Sequence, residues 1–135
     1  MSYRTKTKDI AFGLGQEKEL LNKLQKKFGE KLEISKKQYS PYDYRMKGIR
    51  VELKSRTNTK NQYPTTMIGK NKIKFANRFY GKNYFVFNFS DGIYYIRYDE
   101  DKFANYDVGT GGRADRGCIE QNQYIFIPVD DLKKL

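Results

Sequence analysis

The chain has 135 residues, of which 27 are Lys or Arg and 16 are Asp or Glu, giving a formal net charge of +11. This length predicts one compact domain over residues 1–135, and the charge favours a polyanionic partner such as nucleic acid over an acidic small molecule. The sequence contains no His, which excludes histidine bases, zinc–histidine sites and histidine-containing triads.

The remaining composition narrows the chemistry further. The single cysteine, Cys118, cannot form an internal disulfide, which suits a reducing compartment. No apolar run has the length of a membrane span, so we expect a soluble, intracellular protein without a membrane partner. An enzyme of this composition must rely on carboxylates, Lys, Tyr, Ser and a bound metal ion.

The first predicted element is a helix over residues 14–28. Leu14, Leu21, Leu24 and Phe28 fall on one side of it, and Gly29 follows its end. Strands are predicted over 31–39, 42–47 and 48–56. The third has the clearest pattern, because Ile49, Val51 and Leu53 alternate with charged residues. A turn at residues 46–48 joins the last two strands into a hairpin.

The second half begins with a polar segment around Pro64 and a predicted helix over 69–81. Residues 82–99 predict a hairpin that turns at Asp91-Gly92, and residues 104–118 a glycine-rich loop. A strand over 123–128 and a short closing helix over 129–135 end the chain. This order of helix, three strands, helix and strands indicates an α/β fold.

Three charged side chains in the first hairpin form a candidate catalytic group. Glu52 and Lys54 share one face of their strand, about 7 Å apart, and Asp43 returns beside them on the preceding strand. Two converging carboxylates offer the hard oxygen ligands that Mg²⁺ or Mn²⁺ prefers. A lysine beside such an ion orients an attacking water and balances the charge on a phosphate. The alternative is the solvated face of an ordinary hairpin.

The spacing of these residues is not specific by itself. Asp91, Glu100 and Lys102 repeat it in a chain in which 32% of residues are charged. The context of the two copies differs, because Glu52 and Lys54 belong to an apolar alternation that orients them. Asp91 belongs to a turn, and Glu100 and Lys102 to an acidic segment that resembles another turn. We interpret the second copy as surface charge.

A fourth candidate lies on the first helix. Glu17 falls on the apolar stripe that is expected to face the sheet, where a carboxylate is costly unless it is paired or binds a metal. The alternative interpretation is a residue at the edge of the stripe that reaches solvent or pairs with a lysine.

Together these segments resemble the PD-(D/E)XK nuclease superfamily, most closely its archaeal Holliday-junction resolvase branch. The resemblance is carried by "GLGQEKELLNKL", "VELKSR" and "MIGKNKIKFANRFYGKNYFVF", and covers roughly residues 13–98. It implies a restriction-endonuclease-like core in which a central mixed sheet is flanked by helices in the order α-β-β-β-α-β, followed by the C-terminal strand and short helix. The segment from residue 99 onward has no counterpart in it.

The resemblance also implies roles for these residues. Asp43, Glu52 and the Leu53 carbonyl become metal ligands, Lys54 positions the water, and Glu17 is the helix acid. The usual proline directly before the aspartate is replaced by Tyr42, with Pro41 one place earlier. The implied activity is hydrolysis of DNA with Mg²⁺ or Mn²⁺. It is expected to be structure-selective, on branched DNA and as a homodimer, with a sequence-specific endonuclease as the second choice.

Several basic residues outside this group are candidates for contacts with nucleic-acid phosphates. The alternative for each is an ordinary solvated surface charge. These residues are Arg56, Lys60, Lys70, Lys72, Lys74, Arg113 and Arg116. Two non-enzymatic functions also stay open: a nucleic-acid-binding protein without catalysis, and a basic scaffold for a protein complex.

Overall fold

The computed structural model describes residues 19–35, 42–110 and 123–135. In the first range, residues 19–28 form helix α1, and Gly29 ends it by donating its N–H to the carbonyl of Gln25 at 3.0 Å. Helix α1 buries Leu24 and partly buries Leu21 and Phe28, as its apolar spacing predicts, and it also buries Leu20, which the predicted stripe did not include. Residues 14–18 of the predicted helix lie outside the described ranges.

A six-stranded mixed sheet forms the centre of the fold, in the order β1-β2-β3-β5-β6-β9. Strands β3 and β5 pair in parallel and their neighbours are antiparallel. The bounds of these strands are β1 Glu33–Ile34, β2 Tyr44–Met46, β3 Ile49–Ser55, β5 Lys82–Phe89, β6 Gly92–Arg97 and β9 Lys133–Lys134. The α/β class with a central mixed sheet is therefore confirmed, and it is consistent with a restriction-endonuclease-like fold.

Two turns set the register of the central sheet. Gly48 has a φ of 78°, which lets residues 47 and 48 close the β2–β3 hairpin where a residue with a side chain would be strained. Gly81, before β5, lies so close to this turn that a Cβ atom would stand 2.6 Å from the Gly48 carbonyl oxygen. The same carbonyl accepts a hydrogen bond from the Lys82 N–H at 2.9 Å. The start of β5 is thereby held against the start of β3.

A second sheet of three antiparallel strands covers one face of the first, in the order β4-β8-β7. These strands are β4 Thr65–Gly69, β7 Val108–Thr110 and β8 Gln123–Pro128. The strand over 123–128 is confirmed. Strand β4 was not predicted, and β7 corrects the prediction of an irregular loop at residues 108–110. Both pair with β8, which for β4 is a distant partner that local sequence does not reveal.

Two further helices lie between the strands. Helix α2, Lys70–Asn77, confirms the second predicted helix and buries Ile73 and Ala76. Helix α3, Glu100–Ala104, replaces the predicted turn, and Asp99 caps it by accepting a hydrogen bond from the Lys102 N–H at 3.1 Å. The predicted closing helix is wrong. A single 3₁₀ turn, Val129–Asp131, is followed by β9, which pairs with β6.

The core is divided by the central sheet. On the α1 side, Leu24, Leu32, Tyr44, Val51 and Val86 form one buried cluster. On the other side, a larger cluster lies between the central sheet, α2, α3 and the second sheet, and includes Phe85, Phe87, Ile68 and Ile127. Strand β3 is therefore covered on both faces, which decides the environment of its charged residues.

Candidate active site

Strand β3 directs Glu52 into a packed layer. Its neighbours Val51 and Leu53 face the α1 side, as the alternation predicts, while Glu52 pairs in register with Phe85 and Lys54 with Phe87. Only 7% of Glu52 is exposed to solvent. The sequence pattern places Glu52 and Lys54 on one face, but the burial of Glu52 follows from tertiary structure.

Asp43 lies at the entry to β2, directly beside this strand. Its N–H donates to the Val51 carbonyl at 2.9 Å, and its Oδ2 accepts a hydrogen bond from the Leu53 N–H at 2.7 Å. The carboxylate is exposed, yet it is close enough to Glu52 to raise the pKa of that acid. The structure therefore brings Asp43 and Glu52 together across the hairpin.

Two lysines meet at one oxygen of Glu52. The Lys54 Nζ lies 3.4 Å from Oε1 of Glu52, and the Lys72 Nζ reaches the same atom from α2 at 3.2 Å. Lys54 and Lys72 are themselves partly shielded, with 32% and 22% of their side chains exposed. The four charged groups form a compact cluster of two acids and two bases, which we call the Glu52 cluster: Asp43, Glu52, Lys54 and Lys72.

The pKa of Glu52 is raised above its ordinary value. Burial is the largest cause, because it disfavours the charged carboxylate, and the charge of Asp43 adds to it. The two lysines oppose this shift without overcoming it. A carboxylate held in this way gains from a further positive charge, and raised pKa values of this kind are common at functional sites.

The donors present fit a divalent metal ion. Asp43 and Glu52 supply hard oxygen ligands, and their mutual repulsion would be relieved by a cation between them. In the described ranges, no group of three or more acidic or cysteine side chains gathers as a metal site. Two carboxylates are nevertheless enough for Mg²⁺, which usually keeps several of its waters. Glu17, the predicted third acid, lies outside the described residues.

The fold separates the three residues of the second copy, Asp91, Glu100 and Lys102. Asp91 accepts a hydrogen bond from the Lys60 N–H at 2.9 Å, whereas Glu100 and Lys102 are exposed on α3. The same spacing thus yields a charge cluster at Asp43, Glu52 and Lys54, and separate surface positions here.

Arg56 has a structural contact that the sequence did not indicate. Its guanidinium donates to the Met67 carbonyl at 2.7 Å and lies 5.8 Å from the centre of the Phe87 ring. Burial lowers the pKa of Arg56. These contacts join the end of β3 to β4 and engage Arg56 within the protein, while its predicted contact with a phosphate stays a prediction.

The other predicted phosphate contacts have varied environments. The Lys60 Nζ lies 5.1 Å from the centre of the Tyr94 ring, and the Lys70 Nζ lies 3.4 Å from Oε1 of Gln123. Lys74 is exposed on α2. Arg113 and Arg116 lie outside the described residues. A role in binding nucleic acid stays a prediction for these five residues, as it does for Arg56 and Lys72.

Arg50 was not among the predicted site residues. It precedes Glu52 by two positions on the same face of β3, and its guanidinium lies 4.6 Å from the centre of the Tyr42 ring and 3.9 Å from that of Phe79. Arg50, Glu52 and Lys72 together line a narrow cavity of about 20 Å³, room for about one water. The alternation of β3 was the available signal, because it puts Arg50 on the Glu52 side.

The central mixed sheet, with Asp43, Glu52 and Lys54 brought together at its first hairpin, is consistent with the class of PD-(D/E)XK nucleases. A family profile described as "Phage putative PDDEXK endonuclease" matches residues 7–135, and the chain belongs to that family. It is thus an endonuclease-family protein whose substrate is nucleic acid, and nucleases of this superfamily typically use divalent metal ions.

Comparison with curated proteins found no match, and comparison with solved structures found none either. A closer relation to archaeal Holliday-junction resolvases is therefore not shown. None of the helices in the described ranges has the length and hydropathy that a membrane crossing requires.

Proposed function

We propose that this protein hydrolyses phosphodiester bonds of DNA with Mg²⁺, or alternatively Mn²⁺, bound at Asp43 and Glu52. The observation that carries the proposal is the buried Glu52 carboxylate, which lies beside Asp43 and within ion-pair distance of Lys54. A buried carboxylate beside a second acid lowers the stability of the fold, and a cation bound between the two acids would offset that cost.

The residues of the chain have distinct roles in this proposal. Asp43 and Glu52 hold the ion, with the Leu53 carbonyl and Glu17 as further predicted ligands. The bound ion supplies a positive charge that polarises the scissile phosphate. Lys54 orients the attacking water and stabilises the negative charge that develops on the phosphate. Asp43 is itself oriented by the Leu53 N–H, which limits the directions that its carboxylate can take.

The finer substrate preference is part of the proposal. The net charge of +11 supports a nucleic-acid backbone as the principal binding partner. The sequence resemblance to junction resolvases supports selectivity for branched DNA by a homodimer, because two symmetric cuts require two active sites. A sequence-specific endonuclease is the alternative on the same fold.

One panel of substrates and variants tests this function. Purified protein is incubated with four-way junctions, linear duplex and single-stranded DNA, in Mg²⁺, Mn²⁺ or EDTA. We expect cleavage that EDTA abolishes, with the highest rate on the junction. Asp43→Asn and Lys54→Ala should each lower the rate by about 100-fold or more, because each removes a group that acts on the reacting phosphate.

Lys102→Ala is the matched control for Lys54→Ala, since Lys102 occupies the equivalent position of the second copy and is exposed on α3. Its rate should equal that of the wild type. Cleavage that survives both Asp43→Asn and Lys54→Ala would place the chemistry elsewhere. DNA binding without any cleavage would favour a non-catalytic binding protein.

A further inference from the structure

Lys72 stands out because it belongs to a different element from the rest of the Glu52 cluster. It lies on the first turn of α2, and its Nζ is 3.2 Å from Oε1 of Glu52, closer than the Nζ of Lys54 at 3.4 Å. The contact is largely shielded from solvent, because 22% of the Lys72 side chain and 8% of that of Glu52 are exposed. An ion pair in such a place is weakly screened by water.

Anchoring of α2 does not account for this pair. The helix already buries Ile73 and Ala76 against the core, and Glu52 already has Lys54 as a counter-ion. Two lysines on one carboxylate oxygen balance the charges of Glu52 and Asp43 together, so that the cluster is neutral without any metal. A divalent ion bound at the same acids brings an excess of positive charge beside both lysines.

We propose that Lys72 is a positioning residue of the nuclease site, a built-in cation that holds Glu52 in place and competes with the divalent ion for its Oε1 atom. This inference rests on the proposed function, because it takes Glu52 to be a metal ligand. Lys72 is thus distinct from the surface lysines of α2, because it lines the narrow cavity together with Arg50 and Glu52.

Competition between Lys72 and the divalent ion predicts opposite effects of a Lys72 substitution on metal affinity and on turnover. Removing the Lys72 charge eliminates both a rival for the carboxylate oxygen and a repulsive charge near the bound ion, so that metal affinity increases. The same substitution leaves Glu52 less well oriented and removes a positive charge from the surroundings of the phosphate, so that turnover decreases. Damage to the fold alone would weaken metal binding as well as turnover.

The test measures metal binding without nucleic acid. Mn²⁺ is titrated into wild-type protein, Lys72→Met and Lys72→Arg by calorimetry, and DNA cleavage is measured in parallel at saturating Mn²⁺. For Lys72→Met we expect the dissociation constant for Mn²⁺ to be at least about fivefold lower than that of the wild type. We expect its kcat to be at least about tenfold lower. Lys72→Arg keeps the charge and should keep the wild-type affinity. Lys72→Gln replaces Lys72→Met if the latter does not fold.

Lys102→Met is the control, because Lys102 carries the same charge but is exposed on α3 and lies outside the predicted phosphate contacts. Its affinity for Mn²⁺ and its kcat should match the wild type. A Lys72→Met affinity equal to or weaker than that of the wild type would overturn the inference and leave the proposed function intact. If the wild type binds no Mn²⁺, or binds it equally well after Glu52→Gln, both the inference and the proposed metal site are wrong.

Discussion

Glu52 is the residue at which stability and function conflict. Glu52 is buried on a strand position that pairs with Phe85, and its pKa is raised mainly by burial and then by Asp43. Both effects disfavour the charged form in the folded protein. Buried charges of this kind are common at functional sites. Here Lys54 and Lys72 compensate the charge of Glu52, and in the proposed function a divalent ion does so as well.

The raised pKa predicts how stability depends on pH. Between the ordinary value of 4.5 and the raised folded value, the folded state binds more protons at Glu52 than the unfolded state. The contribution of this group to the free energy of unfolding therefore falls as pH rises through that window. Glu52→Gln removes this dependence, so the metal-free variant should be as stable as the wild type or more stable at pH 7.

Chemical denaturation at several pH values, with EDTA present, measures this effect. Nuclease activity of Glu52→Gln should at the same time fall by about 100-fold or more. Glu100→Gln, at an exposed position, is the control and should change neither quantity. A large loss of stability in Glu52→Gln at pH 7 would mean that the ion pairs with Lys54 and Lys72 outweigh the cost of burial.

At the level of elements, the second sheet is what converts the hairpin into a buried site. Strand β4 follows β3 through a connection that contains a 3₁₀ turn, Lys60–Gln62, and then leads directly into α2. Its pairing with β8 covers the face of the central sheet that carries Phe87. Arg56 joins the end of β3 to β4, which fixes how the two sheets face each other near Lys54.

Arg56 should therefore matter for stability through this connection. Arg56→Met leaves the Met67 carbonyl without its guanidinium donor, and we expect the free energy of unfolding to fall by about 1–3 kcal/mol. Arg56→Lys should recover only part of this loss, because an ammonium group lacks the planar fork of donors. Urea denaturation followed by circular dichroism measures both variants.

Arg78→Met is the control for this series, since Arg78 is an exposed arginine beyond the end of α2. Its stability should remain within about 0.5 kcal/mol of the wild type. If Arg56→Met is as stable as the wild type but binds DNA more weakly, the original interpretation of Arg56 as a phosphate contact is the better one.

For the whole molecule, the excess of positive charge predicts strongly salt-dependent binding of nucleic acid. Each phosphate neutralised by a lysine or arginine releases counter-ions, so affinity falls as salt rises. With four or more such contacts, DNA affinity should drop on the order of 100-fold between 50 and 200 mM salt. Fluorescence anisotropy in EDTA measures this without cleavage.

The variants Lys70→Gln and Lys74→Gln should each flatten that salt dependence if these lysines contact phosphates. Lys102→Gln on α3 is the comparison, since it lies outside the predicted phosphate path. An affinity that is nearly independent of salt would contradict a backbone-based mode of binding and favour the protein-scaffold alternative.

Sequence alone was sufficient for the elements whose signals are local. The apolar stripe that leads into α1, the alternation in β3 and the Asp-Gly turn between β5 and β6 all depend on neighbours a few residues away. The same signals selected Asp43, Glu52 and Lys54 as one group, and the hairpin brings them together. Strand β4 escaped prediction because its partner, β8, lies far along the chain, and β7 because its short strand Val108–Thr110 belongs to a glycine-rich segment.

Tertiary structure alone decided the environment of the site. The alternation of β3 states that Glu52 and Lys54 share a face, but whether that face is wet or buried depends on what packs over it. Lys72 is separated from Glu52 by a strand and a helix boundary, and its meeting with that carboxylate results from the packing of α2 on the sheet. Burial and long-range ion pairs are properties of packed layers, which is why the pattern of residues identified the acids and only the fold supplied their charge balance.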